Sequence, residues 1–310
     1  MPTLGVVSVA GLLVLLGLGL AVYLVVIITV TAYRMTHPPR ITYGSALARN
    51  LPGDPSELDR PLEFEELAVS LDGNKIPTWD IRGRAHSGRT IAIVHGWGSS
   101  RVNILRRIDA LADVSPRLLA IDLPGHGDAP GSTSLGLREP DVVRTLLDTA
   151  SPTEPVVLYG SSMGAGIALQ TAAQLGPARI DAVIAEGVYR DPITPAVPTL
   201  RNAGMPSVPN LVPALVLIGL RHGFMPTRRG VWAGFDRARI ASGLRMPVLY
   251  LHGTDDEICP ITGARRIAEA TPEHRFVAID GGHHNTLWHD DHRGAMSSAI
   301  ADWLESIASG

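Results

Sequence analysis

The chain has 310 residues, and its 27 basic and 30 acidic side chains give a formal net charge of −3. That balance excludes nucleic acid as the expected partner, because such domains carry a clear cationic excess. A hydrophobic content of 45% excludes a mainly disordered chain. The single cysteine, Cys259, allows no internal disulfide, so folding does not depend on an oxidising compartment.

The first 33 residues contain no charged side chain, and Gly5 to Tyr33 form an almost continuous apolar run. A bilayer core of about 30 Å needs about 20 helical residues at ~1.5 Å each. Lipid offers the backbone no hydrogen-bonding partners, so a single span must be helical. Residues 1–33 are therefore expected to form a single-pass transmembrane anchor. A cleaved signal peptide is the competing reading. It would need a basic start and an apolar core of roughly 7–15 residues, whereas here no Lys or Arg precedes a run about twice that long. Arg34, Arg40 and Arg49 follow the run, so the positive-inside rule predicts a cytoplasmic body.

Residues 34–62 are rich in Pro, Gly and Asp and read as a linker. From residue 63 to 310 one domain is expected. Leu67–Leu71 and Ile76–Ile81 flank Asp72-Gly73-Asn74, which is a hairpin signal. Short apolar runs follow at Thr90–Val94, Arg117–Ile121, Pro155–Tyr159, Asp181–Ala185, Pro247–Leu251 and Arg275–Ile279. Runs without polar alternation suit strands covered on both faces. Amphipathic patterns predict helices over Asn103–Val114 (Asn103 as cap), Glu139–Ala150, Met163–Leu175, Thr262–Ala270 and Gly294–Ile307. The alternation predicts an α/β fold with a mostly parallel, doubly wound sheet and an antiparallel edge. Residues 189–240 break the rhythm with seven prolines and the run Leu211–Leu220, too short to span a bilayer, and read as an inserted cap.

The chemistry begins at Tyr159-Gly160-Ser161-Ser162-Met163-Gly164, a G-x-S-x-G sequence between an apolar run and a helical pattern. Such a strand-to-helix turn presents its serine, Ser162, as a nucleophile. The N–H of Met163, at a helix start, suits an oxyanion. His95-Gly96-Trp97-Gly98 closes the run Ile91–Val94. With this segment the chain resembles the α/β-hydrolase superfamily, whose H-G-x-G loop supplies a second oxyanion donor; the resemblance puts it at the Trp97 N–H. His95 reads as a loop brace.

Two further segments carry the resemblance, which extends over roughly residues 65–308. His252-Gly253-Thr254-Asp255-Asp256-Glu257-Ile258-Cys259-Pro260 is similar to the segment holding the carboxylate that orients the catalytic histidine. The matching residue is Asp256, with Asp255 and Glu257 as neighbouring alternatives. Cys259 reads as a small packed residue. Gly281-Gly282-His283-His284-Asn285-Thr286 resembles the segment carrying the base. Alignment on His-Asn favours His284, with His283 as the alternative. The order Ser162, Asp256, His284 is the superfamily's order. Asp122-Leu123-Pro124-Gly125-His126-Gly127 resembles its D-x-x-G-H-G turn, which shapes a loop.

Among relatives the sequence looks most like the monoacylglycerol-lipase-like and prolyl-oligopeptidase-like branches. The resemblance implies a serine hydrolase acting through an acyl-enzyme on Ser162. The apolar cap and anchor point to a lipophilic acyl ester as the small-molecule substrate. A peptidase or amidase of the same fold and a non-catalytic anchored scaffold are the alternatives. No cofactor and no metal are expected: His289, Asp290, Asp291 and His292 form no ligand-spacing motif and are expected in a helix-entry loop.

Overall fold

The structure is a computed structural model that describes residues 8–71, 73–151, 153–227, 231–232 and 234–309. Its centre is an eight-stranded sheet made of β1 (Phe64–Leu71), β2 (Asn74–Arg82), β3 (Ile91–Val94), β4 (Arg117–Ile121), β5 (Val156–Ser161), β6 (Ile180–Glu186), β7 (Val248–Gly253) and β8 (His274–Ile279). The spatial order is β1-β2-β4-β3-β5-β6-β7-β8. β1 pairs antiparallel with β2, and β2 with β4, while every later pair is parallel. Leu71 faces Asn74 across the first hairpin and Gly73 takes a φ of +77° there. Asp72 of the expected turn lies outside the described residues.

The continuous apolar strands are explained by burial on both faces. In β5, Val156 and Leu158 join a cluster under α4 (Glu139–Ala150), α5 (Met163–Leu175) and α9 (Ile261–Ala270). Val157 and Tyr159 point the other way, to α3 (Leu105–Leu111) and α10 (Asp290–Ala308). All four side chains are 0–1% exposed, and each contributes roughly 1.5–3 kcal/mol by burial.

Between β6 and β7 the chain runs through α6 (Ile193–Asn202), α7 (Leu211–Arg221) and the short α8 (Arg237–Ala241). A third apolar cluster joins Leu200, Leu211, Leu215, Ile218, Trp232 and Phe235 to Leu135 and Tyr189. The same cluster includes Ala32 and Met35 of α1 (Val9–Thr36), an apolar helix long enough to cross a membrane.

Three expectations are corrected. α3 starts at Leu105 without a side-chain cap, because the Asn103 amide turns back toward Ser99 Oγ. α10 starts at Asp290, so Asp290, Asp291 and His292 occupy its first turn and not an entry loop. The stretch 34–62 is folded onto the body as the last turn of α1, α2 (Tyr43–Leu47) and a 3-10 turn at Pro55–Glu57. Its Ala46 and Leu62 are buried in the core, and buried apolar groups secure a segment whose Pro and Gly content alone suggests flexibility.

Candidate active site

β5 ends at Ser161, and Ser162 turns the chain directly into α5 with φ 54° and ψ −113°. A non-glycine residue in that region costs of order 1–3 kcal/mol and persists only where its surroundings enforce it. The enforcement is visible in two glycines. A Cβ on Gly164 would lie 2.1 Å from Val94 O, and one on Gly160 would lie 2.3 Å from Gly164 O. Glycine thus permits α5 to pack backbone against backbone on β3 and β5, and the tight turn lifts Ser162 above the carboxyl edge of the sheet.

At that edge Ser162 Oγ lies 3.0 Å from His284 Nε2, and His284 Nδ1 lies 2.7 Å from Asp256 Oδ2. These residues come from the loops after β5, β7 and β8, the place where open α/β sheets bind ligands. Asp256 is buried, and its Oδ1 accepts the N–H groups of Ile258 (3.0 Å) and Cys259 (2.7 Å). Burial opposes ionisation of this carboxyl, but hydrogen bonds from His252, His284 and the Cys259 N–H outweigh it and hold it well below the usual carboxylate range. Burial likewise opposes charge on His284, but the hydrogen bond to Asp256 prevails and raises its pKa above the ordinary 6.5. The thiol of Cys259 is pushed up by burial, so it is neutral near pH 7 and Asp256 is the ion that faces the imidazole.

The neighbouring candidates go elsewhere. The His283 ring is exposed and meets Glu257 Oε2 at 3.0 Å. Asp255 Oδ1 accepts the Thr254 hydroxyl at the surface. His95 is fully buried beneath the Gly96–Gly98 loop, where its Nε2 accepts the Leu123 N–H at 3.0 Å and its Nδ1 donates to Gly96 O at 2.8 Å. Burial drives its pKa down to about 3, so it is a neutral brace. Asp122 is buried and accepts the N–H groups of Arg101 and Asp128, which shapes the turn it begins.

The Gly96–Trp97 loop passes over the serine: a Cβ on Gly96 would sit 3.2 Å from Ser162 Cβ. Trp97 and Met163 line one cavity of about 1440 Å³ together with Ser162 and His284. α6 supplies Pro195, Ala196 and Leu200 to its wall, and Leu135 and Met205 add further apolar surface. The donor atoms of Asp256, Cys259 and His284 lie within 4.8 Å of one another, close enough to share a metal ion. The imidazole nitrogens and the carboxylate already face hydrogen-bond partners, so an ion there would displace the His284–Asp256 contact.

Residues 91–299 match the sequence profile of the Alpha/beta hydrolase family. The chain belongs to the α/β-hydrolase family. It is 25% identical over 248 residues to the Cellvibrio japonicus protein named Biotin biosynthesis bifunctional protein BioHC, aligning over 70% of its own length and 48% of that protein. The chain thus spans about half of that relative. It is 26% identical over 226 residues to the uncharacterized protein YqkD of Bacillus subtilis, covering 70% of this chain and 72% of that one. The Pyrococcus furiosus esterase Pf2001 superposes with a TM-score of 0.66 at 17% identity, over 87% of this α/β-hydrolase and 98% of the esterase.

Sequence reasoning missed the floor of the site. Glu186, which ends β6, accepts the Ser162 N–H through its backbone carbonyl at 2.7 Å. Its buried carboxylate meets the Arg107 guanidinium at 2.6 and 3.0 Å, the Trp288 indole N–H at 2.8 Å and the Tyr159 hydroxyl. Burial would push Glu186 up, but Arg107 outweighs it and holds the carboxyl below its ordinary value. The available signal was an acid, Glu186, closing the apolar run Ala182–Ala185. Removing one member of a buried ion pair leaves the other charge uncompensated, at a cost of roughly 3–5 kcal/mol. Arg107→Met should therefore lose about 3 kcal/mol at pH 7 in denaturant unfolding, since two donors to Glu186 remain. The stabilisation from this lowered carboxylate exists above its unfolded value of about 4.3 and is lost only as pH falls below it, so this part of the gap between variant and parent should narrow below about pH 4. A gap as wide at about pH 3 as at pH 7 would refute the assignment.

Proposed function

We propose that the protein is a membrane-anchored serine esterase that cleaves lipophilic acyl esters. The observation that carries this reading is the hydroxyl of Ser162 at 3.0 Å from an imidazole that a buried carboxylate orients, at the base of a large, partly apolar cavity. In the proposed reaction His284 takes the Ser162 proton as Oγ attacks the ester carbonyl. The N–H groups of Trp97 and Met163 receive the negative charge of the tetrahedral intermediate, with Met163 at the positive end of α5. His284 then protonates the departing alcohol. Water, activated by the same imidazole, releases the acid and restores Ser162. Asp256 fixes the ring and stabilises the imidazolium that forms twice in the cycle.

The apolar length of α1 supports the anchor, and the apolar wall from α6 supports an acyl chain in the cavity. Arg34 in the last turn of α1, with Arg40 and Arg49 beyond it, supports a cytoplasmic body. One experiment tests enzyme class and orientation together. A membrane-permeant fluorophosphonate should label the full chain in intact cells at Ser162, whereas an impermeant one should label it only after lysis. The detergent-solubilised protein should then hydrolyse acyl esters, with kcat/KM rising along the acyl series. Absence of labelling, or cleavage of acyl-proline peptides without any ester turnover, would overturn the esterase reading. Labelling of intact cells by the impermeant probe would overturn the orientation.

A further inference from the structure

Outside α1, the large hydrophobic side chains that stand exposed among the described residues are Tyr43, Leu47 and Leu51 in and after α2, and five between positions 208 and 225. The five are Val208, Val212, Leu217, Leu220 and Met225, at 47–80% exposure. Three of them belong to α7, whose opposite side buries Leu211, Ala214, Leu215 and Ile218 in the cap. A surface helix of a soluble domain turns polar residues outward, and a helix apolar all round needs a second apolar phase. An exposed apolar group of this kind marks an interaction site.

What covers it is indicated by α1, which packs directly against α7. The Asn210 amide just before α7 donates to Thr31 Oγ1 at 2.7 Å, with both residues fully buried. Twenty residues counted from Val9, the start of α1, end at Ile28 and rise about 30 Å, the thickness of a bilayer core. Ile28 is also where α1 begins to pack on the cap cluster. The cap helix therefore meets the anchor where the anchor would leave hydrocarbon. The body is also latched to that end of α1. Trp97 Nε1 donates to Met35 O at 2.7 Å, the Thr133 N–H to Thr36 O at 3.0 Å, and Arg40 Nη1 to Ala129 O at 2.8 Å. An anchor held this way fixes the orientation of the domain against the membrane. Tyr33 and Met35, from the same end of α1, and Pro38 just beyond it line the cavity that holds Ser162.

We propose that the face formed by Val208, Val212, Leu217, Leu220 and Met225 is seated in the boundary layer of the bilayer that α1 crosses, so that the cavity takes its ester from that leaflet. An apolar helix face lies about 5–10 Å deep in such a boundary. The inference rests on the reading of α1 as a span, and the test separates the two. In the full chain, reconstituted in phosphatidylcholine vesicles with one-fifth phosphatidylglycerol, single cysteines at Val22, Leu217, Leu220 and Glu273 are labelled with bimane. The native Cys259 is buried. Glu273 lies at the amino end of β8, the opposite edge of the sheet from the site.

Nitroxide lipids should quench the labels at 22, 217 and 220 by at least about half, and leave the label at 273 unchanged. Quenching at 22 without quenching at 217 and 220 overturns the seat while leaving the span intact. Blue-shifted but unquenched labels at 217 and 220 would mean that a protein surface, such as a second copy of the chain, covers the face, and this also overturns it. No quenching at 22 removes the span and the seat together. As a functional arm, Leu217→Glu with Leu220→Glu should lower turnover of a vesicle-borne long-chain ester about tenfold, while a water-soluble short-chain ester is cleaved at the parent rate. Equal rates of parent and variant on the vesicle-borne ester would count against the seat.

Discussion

Ser162→Ala is expected to reduce ester turnover by a factor on the order of 10⁴–10⁶, with KM little changed, as when a triad nucleophile is removed elsewhere. The substitution deletes one oxygen whose partner is His284 Nε2. It leaves in place the backbone turn, the start of α5 and the cavity, so substrate binding should persist. Some acceleration over water should survive too, because donors aimed at an oxyanion act without the nucleophile. Groups that work as a unit do not contribute additively, so Ser162→Ala combined with His284→Ala should be scarcely slower than either alone. Thermal unfolding distinguishes chemistry from damage. The φ of 54° at this position strains alanine as much as serine, so the melting temperature should stay near that of the parent. A variant with more than a tenth of parental activity, still labelled by a fluorophosphonate, would remove Ser162 from the mechanism.

The elements around that serine were legible because a sheet covered on both faces writes itself as continuous apolar runs, and β3 to β8 were each found within about two residues of their ends. The elbow was legible for a steric reason: Gly160 and Gly164 occupy points where any side chain would strike backbone. Other features depended on distances that sequence does not display. His283 and His284 are adjacent and chemically identical, and only the path of the loop after β8 sends one ring to Ser162 and the other to Glu257 in solvent. The Glu186–Arg107 pair spans 79 positions, so neither residue announces its partner. Nothing in the sequence marks Arg237, which is 2% exposed and stacks on Tyr189 and Phe235 above Gly166, where any Cβ would overlap its guanidinium. The stretch 34–62 has the composition of a linker, but Arg40, Ala46 and Leu62 attach it to the body. Composition reports how freely a segment could move, whereas its contacts decide whether it does.

Asp256→Asn should lower kcat/KM at neutral pH by about 10⁴, the loss seen when a triad carboxylate becomes an amide and the imidazole adopts the wrong tautomer. The pH profile gives this prediction a sign. Burial alone would depress the His284 pKa, and the hydrogen bond to Asp256 overrides it and raises the value above 6.5. The base must be neutral to take the serine proton, so the acid limb of the parent profile should rise at a pH above 6.5. In the asparagine variant the anion is gone and burial remains, so the limb should move to lower pH even as the plateau falls. Stability should respond in two windows. Asp256 is held low, so its stabilisation is present above its unfolded value of about 3.9 and disappears as pH falls. His284 is held high, so its share is complete below about 6.5 and disappears as pH climbs through the raised value. The stability difference between parent and variant should therefore be greatest near pH 5–6, between the two windows. A parent limb below pH 6.5, or a variant limb that does not move, would show that Asp256 does not hold the charge of the base.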